Sequence, residues 1–396
     1  MHNRRQKYFT GKRLFVFLAL ISVFSPISTD IYLPSLPNMV RSFAVSQELV
    51  NLTLSSFFVS YSVGMLFWGP LSDKFGRKVI LTIGMLIYTL ASFSCIWVGD
   101  IWHLIFLRAL QGLGGAASIV VSGAIIKDSY DNKKERENAI AIVQSIAVLA
   151  PMIGPMLGAI LVRVSDQWQL VFIMLTIAGA LTSLAIRFFT ETHVCEEGYT
   201  ITSSFLDLKV ALSNYKLTSL LLIFSLPMLP FLSYIVLSAY IYMNIFHLNA
   251  TNFSVMFSLN AASSVVAPIL YIKFLRQYMQ IKKIVMMCFI VMVISGCCLY
   301  LWGATSEYVF LAALMPASLV GFMLRPPGAN MMLSQHKNAG TTSALMGFSA
   351  MLLGGVGTLI SSLGWSNLIE FLGGIFVIVG AIGLLGWLFV YERILK

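Results

Sequence analysis

The feature that most constrains this chain is a succession of apolar runs, each about 20 residues long and almost free of charge, separated by short polar stretches. A helix of that length crosses the hydrocarbon core of a bilayer. Lipid offers backbone groups no water, so only helices and closed barrels span it. Barrel strands would read as alternations of about 10 residues, whereas these runs are unbroken. The reading is therefore an all-α integral membrane protein. Its twelve spans are placed at about 14–34, 49–71, 79–98, 101–126, 138–162, 168–189, 217–241, 253–272, 284–303, 308–334, 340–363 and 368–391. Composition agrees: 58% of the 396 residues are hydrophobic and only 11% charged, against roughly 25% charged in soluble chains. Twelve spans use about 240 positions and leave thirteen tails and loops of roughly 12 residues. No room remains for a folded soluble domain, so function must lie in the spans and short loops. Disorder, a disulfide scaffold and an ordinary cytosolic enzyme are excluded.

The net charge of +10 could suggest a nucleic-acid partner, but its distribution points elsewhere. Of 26 Lys and Arg, 22 fall on one side of the twelve-span trace. They include Arg4, Arg5, Lys7, Lys12 and Arg13 in the N-terminal tail, Lys74, Arg77 and Lys78 after span 2, and Lys127 to Arg136 after span 4. The opposite side holds only Arg41 and Arg163, and Arg108 and Arg325 sit inside spans. This asymmetry predicts cytoplasmic termini and a bilayer as partner, with no nucleic acid. The five cysteines, four of them in spans, make no CxxC and no Cys/His cluster, so they read as small packing residues and no metal or cofactor is expected. The first apolar run lacks a small-residue cleavage site and is expected to stay as span 1.

Two halves are expected: residues 1–190 as one six-helix bundle and 217–396 as a second. Residues 191–216 form a cytoplasmic linker, containing Glu191, Glu196, Glu197 and Gly198 and an amphipathic piece from Phe205 to Leu212. Ala267-Pro268-Ile269-Leu270 before Lys273-Phe274-Leu275-Arg276 faintly echoes Trp68-Gly69-Pro70-Leu71 before Lys74-Phe75-Gly76-Arg77. The offset is about half the chain, as two parallel repeats would give.

The most specific motif is Gly69-Pro70-Leu71-Ser72-Asp73-Lys74-Phe75-Gly76-Arg77-Lys78, between spans 2 and 3. Gly69 and Gly76 permit a tight turn and close helix approach. Asp73 suits the positive N-terminus of a neighbouring helix, with the start of span 11 as the expected one. Arg77 suits a carboxylate on the same membrane face, with Asp128 as the expected partner. Leu107-Arg108-Ala109-Leu110-Gln111-Gly112-Leu113-Gly114-Gly115-Ala116 lies in span 4, and Ala150-Pro151-Met152-Ile153-Gly154-Pro155-Met156-Leu157-Gly158 in span 5. Pro155 bends its helix, and Gly154 with Gly158 makes a small-xxx-small face for close packing. The stretch Asp30-Ile31-Tyr32-Leu33-Pro34-Ser35-Leu36-Pro37 ends span 1, and Asn338 to Gly347 opens span 11. Together these resemble the signatures of the major facilitator superfamily, in particular its twelve-span drug:proton antiporters of the Bcr/CflA type. The resemblance implies two six-helix bundles around a central cavity opened alternately to each side of a bacterial inner membrane. It also implies that Pro151, Gly154, Pro155 and Gly158 form an antiporter motif, and that Gly69, Asp73, Gly76 and Arg77, with Asp128, form a conformational latch.

Among sixteen carboxylates, only Asp30 falls inside a span, near its outer end. A charge there costs at least ~2.5–3.5 kcal/mol and is a functional candidate by default. Asp30 is the expected proton carrier, also in contact with substrate. Arg108 stays protonated and is expected to support Asp30 or the substrate, with a purely structural role as the alternative. Arg325 precedes Pro326-Pro327-Gly328 and is expected to bind freed carbonyls, lipid or an anionic group of the substrate. Tyr32, Gln111, Phe231 and Tyr234 complete the expected substrate site, the last two on a span-7 face with Pro227 and Ser238. Some polyspecific relatives carry a second span-1 carboxylate two turns before Asp30, where this chain has Ser22. With two embedded arginines and one acid, neutral, zwitterionic or anionic compounds are favoured.

The first functional reading is therefore a monomeric, proton-coupled exporter of small organic molecules. The alternative is a dedicated exporter or importer of an endogenous metabolite such as a siderophore or carboxylate. A membrane enzyme lacks a GxSxG elbow, a metal cluster or paired deep carboxylates. The absence of a P-loop argues against ATP-driven transport, and a receptor would not need a membrane-depth acid.

Overall fold

A computed structural model describes residues 12–130, 132–165, 167–193, 201–336 and 338–392. Arg4, Arg5, Lys7, Glu196, Glu197 and Gly198, named above, lie outside the described residues. The described chain is helical and carries no strand. In chain order the helices are α1 (Lys12–Asp30), α2 (Leu36–Phe43), α3 (Gln47–Phe75), α4 (Arg77–Cys95), α5 (Ile101–Ser129), α6 (Lys133–Val164), α7 (Gln169–Arg187), α8 (Ile201–Ser213), α9 (Tyr215–Ser225), α10 (Met228–Tyr240), α11 (Ala250–Leu270), α12 (Arg276–Tyr278), α13 (Ile281–Trp302), α14 (Glu307–Met323), α15 (Arg325–Leu333), α16 (Ala339–Ser361) and α17 (Leu368–Val390). Among the described residues, eleven helical segments are long and apolar enough to cross a membrane. The 32-residue α6 supplies the twelfth, with its apolar part at Ala150–Val164.

Three spans are broken where the sequence places proline. The first apolar segment runs from Arg13 to Phe43, longer than the expected 14–34. Helix α1 stops at Asp30, a short 3₁₀ turn follows at Leu33–Ser35, and α2 resumes. Pro34 and Pro37 occupy first-turn positions, where a missing N–H costs nothing. Asp30 thus lies at an internal break of a 31-residue segment and not at its outer end. Likewise Pro227 separates α9 from α10, and Leu324 separates α14 from α15, which begins Arg325-Pro326-Pro327. Loop ends are closed by side-chain caps. Asp100, Asn214, Asn249, Ser306, Asn338 and Asn367 each accept first-turn N–H groups. The N–H groups of Trp102 and His103 hold the exposed Asp100 carboxyl below its usual range.

The chain divides into two compact units, residues 1–45 with 53–207, and 46–52 with 208–396. The division falls inside α8, whose Leu208 and Ala211 are buried while Leu206 and Val210 are exposed. In the first unit α4 packs on α5 and α7, and α1 on α6. In the second, α13 packs on α17 and α14, α10 on α16, and α11 on α14.

Lipid gives apolar helices no hydrophobic reason to associate, so close contact rests on small residues. A Cβ on Gly84 of α4 would strike Ala117 of α5, and one on Gly114 would sit 2.7 Å from Tyr88 N. In the second unit, Cβ atoms on Gly296 of α13 and Gly373 of α17 would each lie 2.8 Å from the other's carbonyl oxygen. Gly374, the next residue, faces open space. Gly296→Val must therefore separate two backbones and should destabilise by about 1–3 kcal/mol or more, whereas Gly374→Ala should be neutral or slightly stabilising. Thermal unfolding in detergent checks both. Equal melting temperatures for the two variants would contradict this packing.

Candidate functional site

Asp30 ends α1 and is 3% exposed. Its recorded partner is the Thr29 hydroxyl, which donates at 3.4 Å while also reaching Pro26 O at 2.8 Å. No ion pair involves it among the described residues. Its seat is made by α6. A Cβ on Gly154 would lie 2.7 Å from Asp30 Cβ, and one on Gly158 would strike Ile31 O. The two motif glycines thus make their small-xxx-small contact with the residue pair that ends α1. Pro151 and Pro155 lie inside α6, and neither ring nitrogen can donate to the preceding turn. Ser22, two turns before Asp30, is fully buried and donates to Ser122 Oγ at 2.9 Å.

Arg108 of α5 is fully buried. Its guanidinium lies between the rings of Tyr32 and Phe57, 4.6 Å from each centroid. Its Nη1 donates to Gln111 Oε1, while Nε and Nη2 find no acceptor. Gln111 passes the connection to Ser92 Oγ at 2.7 Å. Ser92 in turn donates to the backbone oxygen of Tyr88, whose hydroxyl donates to Ser28 Oγ at 2.7 Å. Tyr32 OH pairs with Thr53 Oγ1 at 2.9 Å. No hydrogen bond or ion pair joins Arg108 to Asp30. Tyr32, Arg108 and Gln111, expected to touch substrate, are all closed off from solvent inside the first unit.

The loop between α3 and α4 is built around Arg77, 5% exposed. Its Nε donates to Asp128 Oδ2 at 2.8 Å, and Nη1 donates to Ser72 Oγ at 2.8 Å and to Asp73 Oδ1. Gly76 turns the chain at φ +97°, a conformation L side chains avoid, and Glu191 fills the space a Cβ would need. Gly69 does not have the role expected from sequence. It lies inside α3, and its nearest would-be contact, Val120, is at an ordinary 3.8 Å. The close approach is made one turn earlier, where a Cβ on Gly64 would be 2.7 Å from Ala116 Cβ.

Two members of this cluster were not anticipated as such. The Glu191 carboxylate accepts the N–H groups of Arg77 and Lys78, at 3.0 and 2.9 Å, and so caps α4. His193 Nε2 lies 2.7 Å from the backbone oxygen of Asp73, and its Nδ1 is 4.0 Å from Asp128. The sequence signal is slight: an acid four residues past the last turn of span 6, on the basic side of the trace.

In the second unit the expected span-7 face splits. Tyr234 is 1% exposed and stacks on Phe257, and Ser238 is fully buried and donates to Ile235 O. Both belong to the packed core. Only Phe231 is half-buried, edge-on to Phe322 at 4.8 Å. Arg325 is exposed. Its Nη2 contacts Met228 Sδ at 3.1 Å, and its guanidinium lies 4.5 Å from the Phe322 ring centroid. No carbonyl or carboxylate accepts from it among the described residues.

The loop geometry carries a test. Arg77→Ala leaves Asp128 and Asp73 without their shared cation, and Glu191→Gln weakens the cap on α4. Each should lower stability by about 1–3 kcal/mol, while Gly69→Ala should be silent. Melting curves in detergent are the check. A Gly69→Ala loss as large as that of Arg77→Ala would refute the assignment.

The Major Facilitator Superfamily profile matches residues 18–358. A bicyclomycin resistance protein homolog from Haemophilus influenzae is 32% identical over 186 residues, 46% of each chain, so the match spans about half the length of that relative. An uncharacterized MFS-type transporter from Bacillus subtilis, YdgK, is 26% identical over 357 residues, 88% of each chain. The crystal structure of a bacterial homolog to the human lysosomal transporter Spinster superposes with a TM-score of 0.76 at 13% identity, covering 97% of this chain and 98% of that one. That likeness concerns the fold alone. With the loop built on Gly76 and Arg77, the glycine-seated end of α1 and a profile match over most of its length, this multi-pass membrane protein belongs to the Major Facilitator Superfamily.

Proposed function

We propose that the protein exports small organic molecules from the cytoplasm across a bacterial inner membrane in exchange for protons, by alternating access, with both termini cytoplasmic. The observation that carries this reading is Asp30. It is the one carboxylate at membrane depth in the twelve-span trace, it is buried, and no cation neutralises it among the described residues. Holding a charge there is costly, so the group gains by taking up a proton whenever its surroundings close. Its position at a helix break, seated on Gly154 and Gly158, lets a shift of α6 change its environment.

The cycle follows from that coupling. Asp30 binds substrate in its charged form while open to the cytoplasm. Outward opening admits a proton, the neutral side chain releases substrate, and the neutral site returns and gives up the proton inside. One charge moving through 100 mV is worth ~2.3 kcal/mol before any pH gradient is added. The Arg108–Gln111–Ser92 connection ties α5 to α4 and keeps a fixed positive charge in the first unit. The Arg77–Asp128 pair with the Glu191 cap latches the cytoplasmic ends. The side of the membrane is supported by the Lys/Arg asymmetry of 22 against 2, and the substrate class by the name of the Haemophilus relative. A second reading, a dedicated exporter or importer of an endogenous metabolite, is favoured by Arg325, which no carboxylate neutralises among the described residues of its own unit.

Asp30→Asn is the decisive variant. In proteoliposomes with an imposed pH gradient, uptake of bicyclomycin or of an organic-acid panel should fall to the empty-vesicle level. Insertion and melting temperature should be unchanged or raised. Retention of wild-type pH dependence in Asp30→Asn would remove Asp30 as carrier.

A further inference from the structure

The second unit carries a charge that its own fold does not use. Arg325 stands two-thirds of the way along the span Glu307–Leu333. Eight residues separate it from Leu333, about 12 Å of helix axis. An arginine at that depth ordinarily pairs with an acid or with backbone carbonyls. Here its recorded partners are a thioether and an aromatic face, Met228 and Phe322. The described acids of this unit's membrane helices, Glu48, Glu307 and Glu370, lie in the first turns of α3, α14 and α17, and Glu392 follows α17.

The direction of the side chain is set by the helix. Leu324 at the break keeps helical φ/ψ of −71° and −19°, its N bonds to Val320 O and Gly328 N bonds to its O, so Arg325 stays close to the helical register of α14. Val309, Ala312 and Pro316 form the exposed apolar stripe of α14. Arg325 follows Pro316 by nine residues, two and a half turns, and so points away from that stripe. Ser318 and Phe322 precede Arg325 by seven and three residues and share its face. Ser318 is 3% exposed, and its Oγ has no hydrogen-bond partner. Phe231 of α10 extends the aromatic shelf beside Phe322. One guanidinium fork, an apolar shelf and the unmatched Ser318 hydroxyl thus lie on the α10 and α14–α15 faces.

We infer that this face binds the carboxylate of a small organic monoanion. The carboxylate takes the Arg325 fork, its aromatic or branched body lies on Phe322 and Phe231, and Ser318 meets at most one further polar atom. A polycarboxylate fits poorly, because no second cation is present on the face among the described residues. The inference rests on the exporter reading for what the site is for, but not for whether it binds. The phosphate of an anionic lipid offers the same chemistry as a carboxylate and is separated below.

The probes are 2-naphthoate and its neutral isostere 2-naphthamide, with binding measured at equilibrium on the purified full chain in neutral detergent. Wild type should bind the acid at least about thirty-fold more tightly than the amide. Arg325→Gln should abolish that preference by weakening the acid alone. Arg325→Lys should fall between, since it keeps the charge and loses the fork. Adding phosphatidylglycerol to the micelles should leave acid binding within about two-fold. Three results would overturn the inference: no preference for the acid in wild type, equal loss of both probes with a lowered melting temperature in Arg325→Gln, or displacement of the acid by phosphatidylglycerol. Equilibrium binding needs no proton coupling. Preference for the acid without proton-driven transport would therefore refute the exporter reading and leave this site standing.

Discussion

The structure depends on backbone lying against backbone. In a bilayer, burying leucine against leucine gains little over burying it in lipid. Helices hold together where side chains are small enough for main chains to touch. Gly84 and Gly114 join α4 to α5, Gly112 brings α5 onto the Phe57 carbonyl of α3, and Gly154 and Gly158 bring α6 onto the end of α1. The same device joins α13 to α17 through Gly296 and Gly373. At these distances a helix cannot shift without moving its neighbour, because no flexible side chain lies between them to absorb the displacement.

That rigidity gives the polar residues their meaning. Asp30 sits where α1 breaks, and the surface beneath it is two glycines of α6. Movement of α6 is therefore movement of the floor of a buried carboxylate. Arg108 is held by aromatic faces and one amide, with two donors left over. A buried cation with unused donors is expensive, and its persistence fits a fixed electrostatic role better than a stabilising one. At the other end of the same unit, charge is fully engaged. Arg77 serves Asp128, Asp73 and Ser72, and Glu191 takes the free N–H groups of α4. One unit thus combines a closed ionic cluster at its loop end with under-satisfied charge at membrane depth.

The second unit is built differently. Its interior is aromatic, with Tyr234, Tyr242, Phe253, Phe257 and Phe310 packed between α10, α11 and α14. Its one embedded charge, Arg325, stays accessible. The first unit thus buries a carboxylate, Asp30, and the second exposes a guanidinium, Arg325.

The sequence by itself determined the class of fold, the number of spans, the sidedness of charge and the embedded residues Asp30, Arg108 and Arg325. Each is written in hydropathy or in the cost of a charge in lipid, which are properties of residues taken along the chain. It offered Gly69 and Gly76 together for the turn, and the structure assigned the positive φ to Gly76. Tertiary structure alone decided which groups meet. That Gly154 seats Asp30, that Gly64 and not Gly69 makes the close approach in α3, and that Glu191 caps a helix 114 residues away depend on contacts between distant segments. The span-7 face shows the same limit: helical spacing put Phe231 and Tyr234 on neighbouring turns, but only packing against α11 and α14 decided that Tyr234 is core and Phe231 is not. Periodicity fixes which residues share a face of one helix, and the neighbours of that face are set by every other helix in the unit.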